Sequence, residues 1–113
     1  QEVSKVARKL KNLAKELNIT IIALSQLNRG VSMRNNSKPT LSDLRESGEI
    51  EQAADIVMLL YRPEYYGLEY DDYGHDAKGL ASVIFAKGRN IGVGEVTLRF
   101  ISELTKFEDY EEV

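Results

Sequence analysis

The chain has no cysteine and no tryptophan, and only one histidine and two prolines among its 113 residues. Without cysteine there are no disulfides and no thiolate ligands, and one histidine does not build a zinc centre unaided. No run approaches the roughly 18 uninterrupted apolar residues that a membrane helix requires. The opening Gln1-Glu2-Val3-Ser4 also lacks the cationic start and apolar stretch of a secretory signal. A cytoplasmic setting with no membrane partner is therefore expected. Surplus positive charge is missing too: 15 Lys and Arg stand against 18 Asp and Glu, a formal charge of −3. That excludes a uniformly basic coat, so any grip on phosphate must come from local clusters. Absent as well are a Gly-x-x-x-x-Gly-Lys-Ser/Thr phosphate cradle, a Gly-x-Ser-x-Gly elbow and a His-Glu-x-x-His helix. The chain by itself carries no complete active site.

What is present has the composition of an ordinary globular domain, 42% hydrophobic and 29% charged. The chain opens without methionine, directly in a helical pattern, as a piece of a longer protein would. Val3, Val6, Leu10, Leu13 and Leu17 recur every three or four residues with lysines and an arginine on the other faces. This predicts an amphipathic helix, ended by Asn18 and laid against a sheet. The nearly continuous apolar run from Ile19 to Ser25 predicts a parallel strand covered on both faces. Residues 26 to 41 carry Arg29, Arg34 and Lys38 without an acid and predict a basic loop. Ser42 or Asp43 is the predicted cap of a two-piece helix reaching Ala54, interrupted near Gly48. Strands follow at residues 55–61, an apolar run read as buried, at 80–86, and at 95–100, where Val96, Leu98 and Phe100 alternate with polar neighbours; residues 87–94 predict a glycine-bearing turn, and a short piece lies near 106–110. Residues 62–78 form an acidic, tyrosine-bearing connector. The class is α/β, with parallel strands followed by antiparallel outer ones.

Polar residues at strand ends are where α/β sheets place ligand sites. Gln26 follows the first apolar run and could donate to a phosphate oxygen or orient a water; it could equally top the strand and cap local backbone. The basic loop and the following Ser42-Asp43-Leu44-Arg45-Glu46-Ser47-Gly48 offer cations for phosphates and a glycine for close backbone approach; a solvated loop has the same charge pattern. With few aromatics nearby, contacts to a nucleic-acid backbone are expected rather than base stacking. Lys87 and Arg89 share one side of an extended chain and could clamp a triphosphate, or could simply keep a sheet edge from pairing. The connector's Glu64, Glu69, Asp71, Asp72, His75 and Asp76 show no metal-ligand spacing, and no metal site is assigned.

Taken in order, Leu24-Ser25-Gln26-Leu27-Asn28-Arg29, Ser42-Asp43-Leu44-Arg45-Glu46-Ser47-Gly48, Ile50-Glu51-Gln52-Ala53-Ala54-Asp55 and Lys87-Gly88-Arg89-Asn90 resemble the C-terminal part of DnaB-type replicative helicases. The opening helix, with Leu10-Lys11-Asn12-Leu13-Ala14-Lys15-Glu16-Leu17, is similar too, so the resemblance spans nearly all of the chain except the connector. It implies the C-terminal half of a RecA-like P-loop NTPase core. It also implies a hexameric ring that hydrolyses ATP, with Mg²⁺, between subunits and moves along single-stranded DNA, with primase and a helicase loader as partners. By the same resemblance Gln26 senses the terminal phosphate, Arg89 is an arginine finger and Lys87 its basic companion. Arg45, Glu46 and Gly48 hold the DNA backbone, and Arg29, Arg34 and Lys38 belong to a second channel-facing loop. The family's phosphate loop, catalytic glutamate and magnesium-binding aspartate precede the position of Gln1. The chain alone is therefore expected to hold no Mg-ATP, to be inactive and to self-associate through apolar surface. Two other readings of the parent protein are a RecA-like DNA-binding or regulatory module that does not unwind, and a strand-exchange recombinase. The recombinase shares the fold but lacks the run from Ser42 to Gly48.

Overall fold

The computed structural model describes residues 2–27, 38–44 and 47–111. Helix α1 (Glu2–Leu17) is followed later by α2 (Ser47–Ala53), and then by strands β1 (Ile56–Tyr61), β2 (Leu80–Gly88), β3 (Gly94–Ile101) and β4 (Lys106–Asp109). The strands form one antiparallel sheet in the order β1-β2-β3-β4. Single 3-10 turns at Leu41–Asp43, Pro63–Tyr66 and Ser102–Leu104 punctuate the connections.

Helix α1 ends as its sequence predicts. Asn18 adopts a left-handed conformation at φ 54°. Its N–H donates to the Lys15 carbonyl at 3.3 Å, and that of Ile19 to Ala14 at 3.0 Å, a pair of bonds that satisfies carbonyls the helix would otherwise orphan. The expected seat on a sheet is not what the structure shows, because α1 packs chiefly on α2. Val6, Leu13 and Leu17 remain exposed. An apolar stripe requires a cover without specifying which element supplies it.

Residues 19–26 depart further from expectation. They join no ladder, and their one neighbouring bridge is Leu27 with Leu44. Ile22 and Leu24 are 78% and 96% exposed, so the predicted doubly covered parallel strand is not formed here. Hydrophobic content selects a buried strand only when neighbouring strands are beside it to accept its N–H and C=O groups.

Strand β1, also read as buried, is covered on one face. Val57, Leu59 and Tyr61 are buried, while Ile56, Met58 and Leu60 are exposed. The covered face builds the core: Leu44, Val57 and Leu59 gather Leu27, Leu41, Ile50, Ala54, Ile84 and Ala86 around them. The two-piece helix is present, but its break falls between Asp43 and Ser47 rather than at Gly48, which lies inside α2. The first piece is capped by Thr40 instead of Ser42 or Asp43. Buried Asp43 accepts from the Thr40 N–H at 2.6 Å and so returns the cap.

One irregularity positions everything that follows. Between β1 and β2 the register runs Leu59 to Ile84 and Met58 to Phe85, then jumps to Val57 opposite Lys87. Ala86 is the extra residue of a β-bulge. Ala86 itself packs on the core with Ile84. The shift sets Lys87 opposite Val57, on the face that α2 covers, whereas regular alternation would have sent it to the open face with Phe85.

The connector is held by its own polar contacts. Asp71, whose side chain is only 6% exposed, accepts from the backbone N–H groups of His75 at 2.7 Å and Tyr73 at 3.0 Å. Its other oxygen meets His75 Nδ1 at 3.0 Å. Burial opposes ionisation of this carboxyl, but these bonds prevail and keep its pKa below the usual aspartate value. A depressed folded pKa stabilises the fold above the unfolded value of about 4 and ceases to do so as the pH falls through the folded value. Asp71→Ala is expected to cost about 1–3 kcal/mol at neutral pH. The difference from the unsubstituted chain should vanish in denaturant titrations at acid pH; a loss as large there as at neutrality would exclude the carboxylate as its source.

Candidate functional site

Strand β2 delivers Lys87 and Arg89 to the junction of α2 and β1. Lys87 Nζ donates to the backbone carbonyl of Glu51 in α2. The Arg89 backbone N–H donates to the Asp55 carbonyl at 2.9 Å, and its guanidinium reaches Asp55 Oδ1 at 3.0 Å. The same carboxylate receives Lys11 of α1 on both oxygens, at 2.6 and 2.7 Å. The Lys11 hydrogen bond is the main cause holding the Asp55 pKa below its ordinary value, and the charges of Lys11, Arg89 and Lys87 add to it. Both cations of the tip thus lie on one side of the sheet, beside the end of α2, with the Arg89 side chain 52% exposed.

Glycine at 88 is a demand of this tip. A Cβ there would collide with the Ile91 side chain and the Gly92 carbonyl, since the chain closes a turn with Gly92 N–H on the Gly88 carbonyl at 3.1 Å. Gly48, at the start of α2, is different. A Cβ there would meet nothing within 4 Å, and the backbone is not in the left-handed region. No contact within the described fold demands a glycine at 48.

Gln26 is exposed and immediately precedes Leu27, whose bridge to Leu44 joins it to the chain leading into Arg45. One residue on either side of that bridge therefore separates the predicted phosphate sensor from the predicted DNA loop. Arg29, Arg34, Arg45 and Glu46 lie outside the described residues. Lys38, at the far end of the basic loop, meets Asp72 at 2.7 Å and Glu95 at 2.9 Å, with its ammonium 5.4 Å from the Tyr73 ring centre. Partial burial opposes its charge, but the bonds and charges of Asp72 and Glu95 outweigh that and raise its pKa. Glu95 also accepts from the Tyr73 hydroxyl at 3.2 Å.

The sequence reading missed Asp55 and Lys11, which stand 34 and 78 positions before Arg89 and carry no motif of their own. Two open depressions, one along Arg99, Lys106 and Glu108 and one along Glu64, Tyr70 and Lys78, include neither Gln26, Lys87 nor Arg89. Among the described residues no group of three His, Cys, Asp or Glu side chains is placed to hold a metal, and no helix is long and apolar enough to cross a membrane.

A half-buried Lys87 and an exposed Arg89 thus stand at a sheet tip beside the end of α2. Two solved structures carry the same arrangement of elements. One, described as an ATPase domain, superposes with a TM-score of 0.83 at 47% identity, covering 96% of this chain and 37% of that one. The other, a DnaB-like replicative helicase studied with its interactions with primase, gives 0.84 at 47% identity over 96% of this chain and 25% of its own. The family model of the DnaB-like helicase C-terminal domain matches residues 1–109, and the chain belongs to that family. Curated relatives include the replicative DNA helicase DnaC of Bacillus subtilis, 50% identical over 98% of this chain, and DnaB of Rickettsia prowazekii, 48% identical over 97%. The chain spans about a quarter of their length, 23% and 25%.

Proposed function

We propose that this chain is part of a hexameric replicative DNA helicase in which ATP hydrolysed between subunits drives movement along single-stranded DNA and separation of the duplex. The observation that carries the reading is the placement of Lys87 and Arg89, turned by the Ala86 bulge onto the covered face and set at one end of α2. Gly48 and the loop that leads to it occupy the other end. Arg89 is the finger offered to a neighbour's nucleotide and Lys87 the charge beside it. Such a wall supplies no lysine-bearing phosphate loop, so the triphosphate is held mainly by the facing subunit. The cations fit a triphosphate; magnesium is assigned no ligand among these residues. Gln26 senses the terminal phosphate and passes its state through the Leu27–Leu44 bridge toward Arg45, Glu46 and Gly48 on the DNA backbone. The likeness to a helicase described together with its interactions with primase makes primase the first partner to test, with a helicase loader beside it and the cytoplasm as the setting.

Lys38 takes a narrower role than the charge pattern suggested. Its ammonium would have to leave two carboxylates to reach a phosphate. It instead anchors one end of the segment that carries Arg29 and Arg34. A lysine that touches phosphate contributes about 0.7–0.9 to the slope of log affinity against log salt. Lys38→Met is expected to weaken single-stranded DNA binding without changing that slope, and Asp72→Asn to do the same. A slope shallower by a full contact in the lysine variant alone would return Lys38 to the DNA.

The test of the whole reading is a forked duplex incubated with ATP, Mg²⁺ and a full-length protein carrying this chain. Strand separation that stops when hydrolysis is blocked is expected. Binding to the single-stranded arm with no displacement, at any nucleotide concentration, would favour a DNA-binding module instead.

A further inference from the structure

We propose that Asp55 is the positioning residue of the arginine finger, fixing Arg89 to the link between α2 and β1. The proposal rests on the reading of Arg89 as the finger.

Three contacts converge on this position. The Asp55 carbonyl takes the Arg89 backbone N–H, which sets where the side chain begins. The Asp55 carboxylate takes one guanidinium nitrogen at 3.0 Å, which sets where it points. Lys11 holds both carboxylate oxygens, sharing Oδ1 with Arg89, which keeps the acceptor itself from turning. Asp55 lies two residues beyond the last residue of α2, and Glu51 within α2 receives Lys87 through its carbonyl. Lys87 is thus tied to α2 itself, and Arg89 to the two-residue link that joins α2 to β1.

The magnitudes separate positioning from simple stabilisation. The carboxylate is about half exposed, at 53%, and so is the Arg89 side chain, at 52%. Ion pairs in that setting contribute little to stability because water screens them and long side chains lose freedom in making them. Asp55 therefore does little to hold the fold together, and what it does is restrict a long side chain to one direction. A guanidinium has five N–H donors in a fixed fork. With one nitrogen on Asp55, the rest of the fork remains available for a terminal phosphate, so the contact orients the finger without occupying it. Misplacement by about 1 Å at a reacting centre can cost on the order of a hundredfold in rate.

The experiment is a double-mutant cycle in the full-length, ring-forming protein, with ATP, Mg²⁺ and single-stranded oligonucleotide as probes. Asp55→Asn is expected to lower the DNA-stimulated kcat about ten- to hundredfold with KM for ATP nearly unchanged. Asp55→Glu should recover part of the loss. Placed on Arg89→Ala, Asp55→Asn should produce no further fall, because the group it positions is gone. Lys11→Met, which frees the Asp55 carboxylate to turn but keeps it as an acceptor for Arg89, should cost less than Asp55→Asn. The proposal is overturned by independent, multiplicative effects of the two substitutions, by a kcat that rises in Asp55→Asn, or by Lys11→Met matching it. If Arg89→Ala alone leaves hydrolysis intact, the finger reading fails as well, and that result is distinct from additivity.

Discussion

Arg89→Ala in the assembled ring is expected to slow ATP hydrolysis by about 10³- to 10⁵-fold, the range an arginine finger supplies to phosphoryl transfer. The affinity for nucleotide should stay within a few-fold. The two effects separate because charge on the transferring group grows toward the transition state, and a cation arriving from the neighbouring subunit is felt most there. The structure supports this division. Arg89 stands half exposed at the sheet tip, held to its own chain through Asp55 and open on its other side. Arg89→Lys should rescue poorly, because the three donors of a lysine radiate from one nitrogen and cannot span Asp55 and a phosphate as the planar guanidinium fork does. The measurements are phosphate release at saturating ATP and equilibrium binding of a fluorescent nucleotide. Affinity that falls in step with turnover would mean that Arg89 holds the ground state, and the finger assignment would be abandoned.

Gly48→Ala is expected to leave the fold intact and to weaken single-stranded DNA binding about ten- to hundredfold, the worth of one or two hydrogen bonds to a charged acceptor. A methyl at 48 touches nothing within 4 Å, and the backbone there is in a region open to any residue. Alanine is the better helix former, so thermal stability should hold or rise slightly. A glycine without an internal reason points to something outside the described residues that approaches its backbone, and a phosphate on the loop's N–H groups is the approach the family resemblance implies. Thermal melts and fluorescence anisotropy with a labelled oligonucleotide check the two halves. Unchanged DNA affinity in a stable variant would remove the backbone of this loop from the contact.

The sequence showed the local features well. Asn18 signalled the end of α1, and the glycines after Lys87 signalled the turn. The alternation of Val96, Leu98 and Phe100 marked β3, and a break in the helix before Ala54 was visible in its composition. These are properties of a few adjacent residues and depend on backbone preference. Failures came where a neighbour distant in sequence decides. The apolar run at residues 19–26 looked like an interior strand, yet burial requires elements on both sides, and the structure sets none there. Leu24 and Met58 stay exposed in consequence, at 96% and 51%. For Lys38 the charge was legible but its pairing with Asp72 and Glu95, 34 and 57 positions away, was not. Asp55 was invisible as a functional residue for the same reason. Its value lies in three contacts with residues that no spacing rule connects to it.

The extra residue in β2 makes that strand a counting device. Side chains along a strand alternate between faces, so the number of residues between the core and the tip decides, by odd or even, which side Lys87 and Arg89 occupy. A loop tolerates gain or loss of one amino acid, but here a single deletion would invert both charges to the far side of the sheet while leaving every chemical group in place. Changes in length along this stretch can preserve the orientation of the tip only in steps of two, which makes its residue count as much a functional property as its residue types.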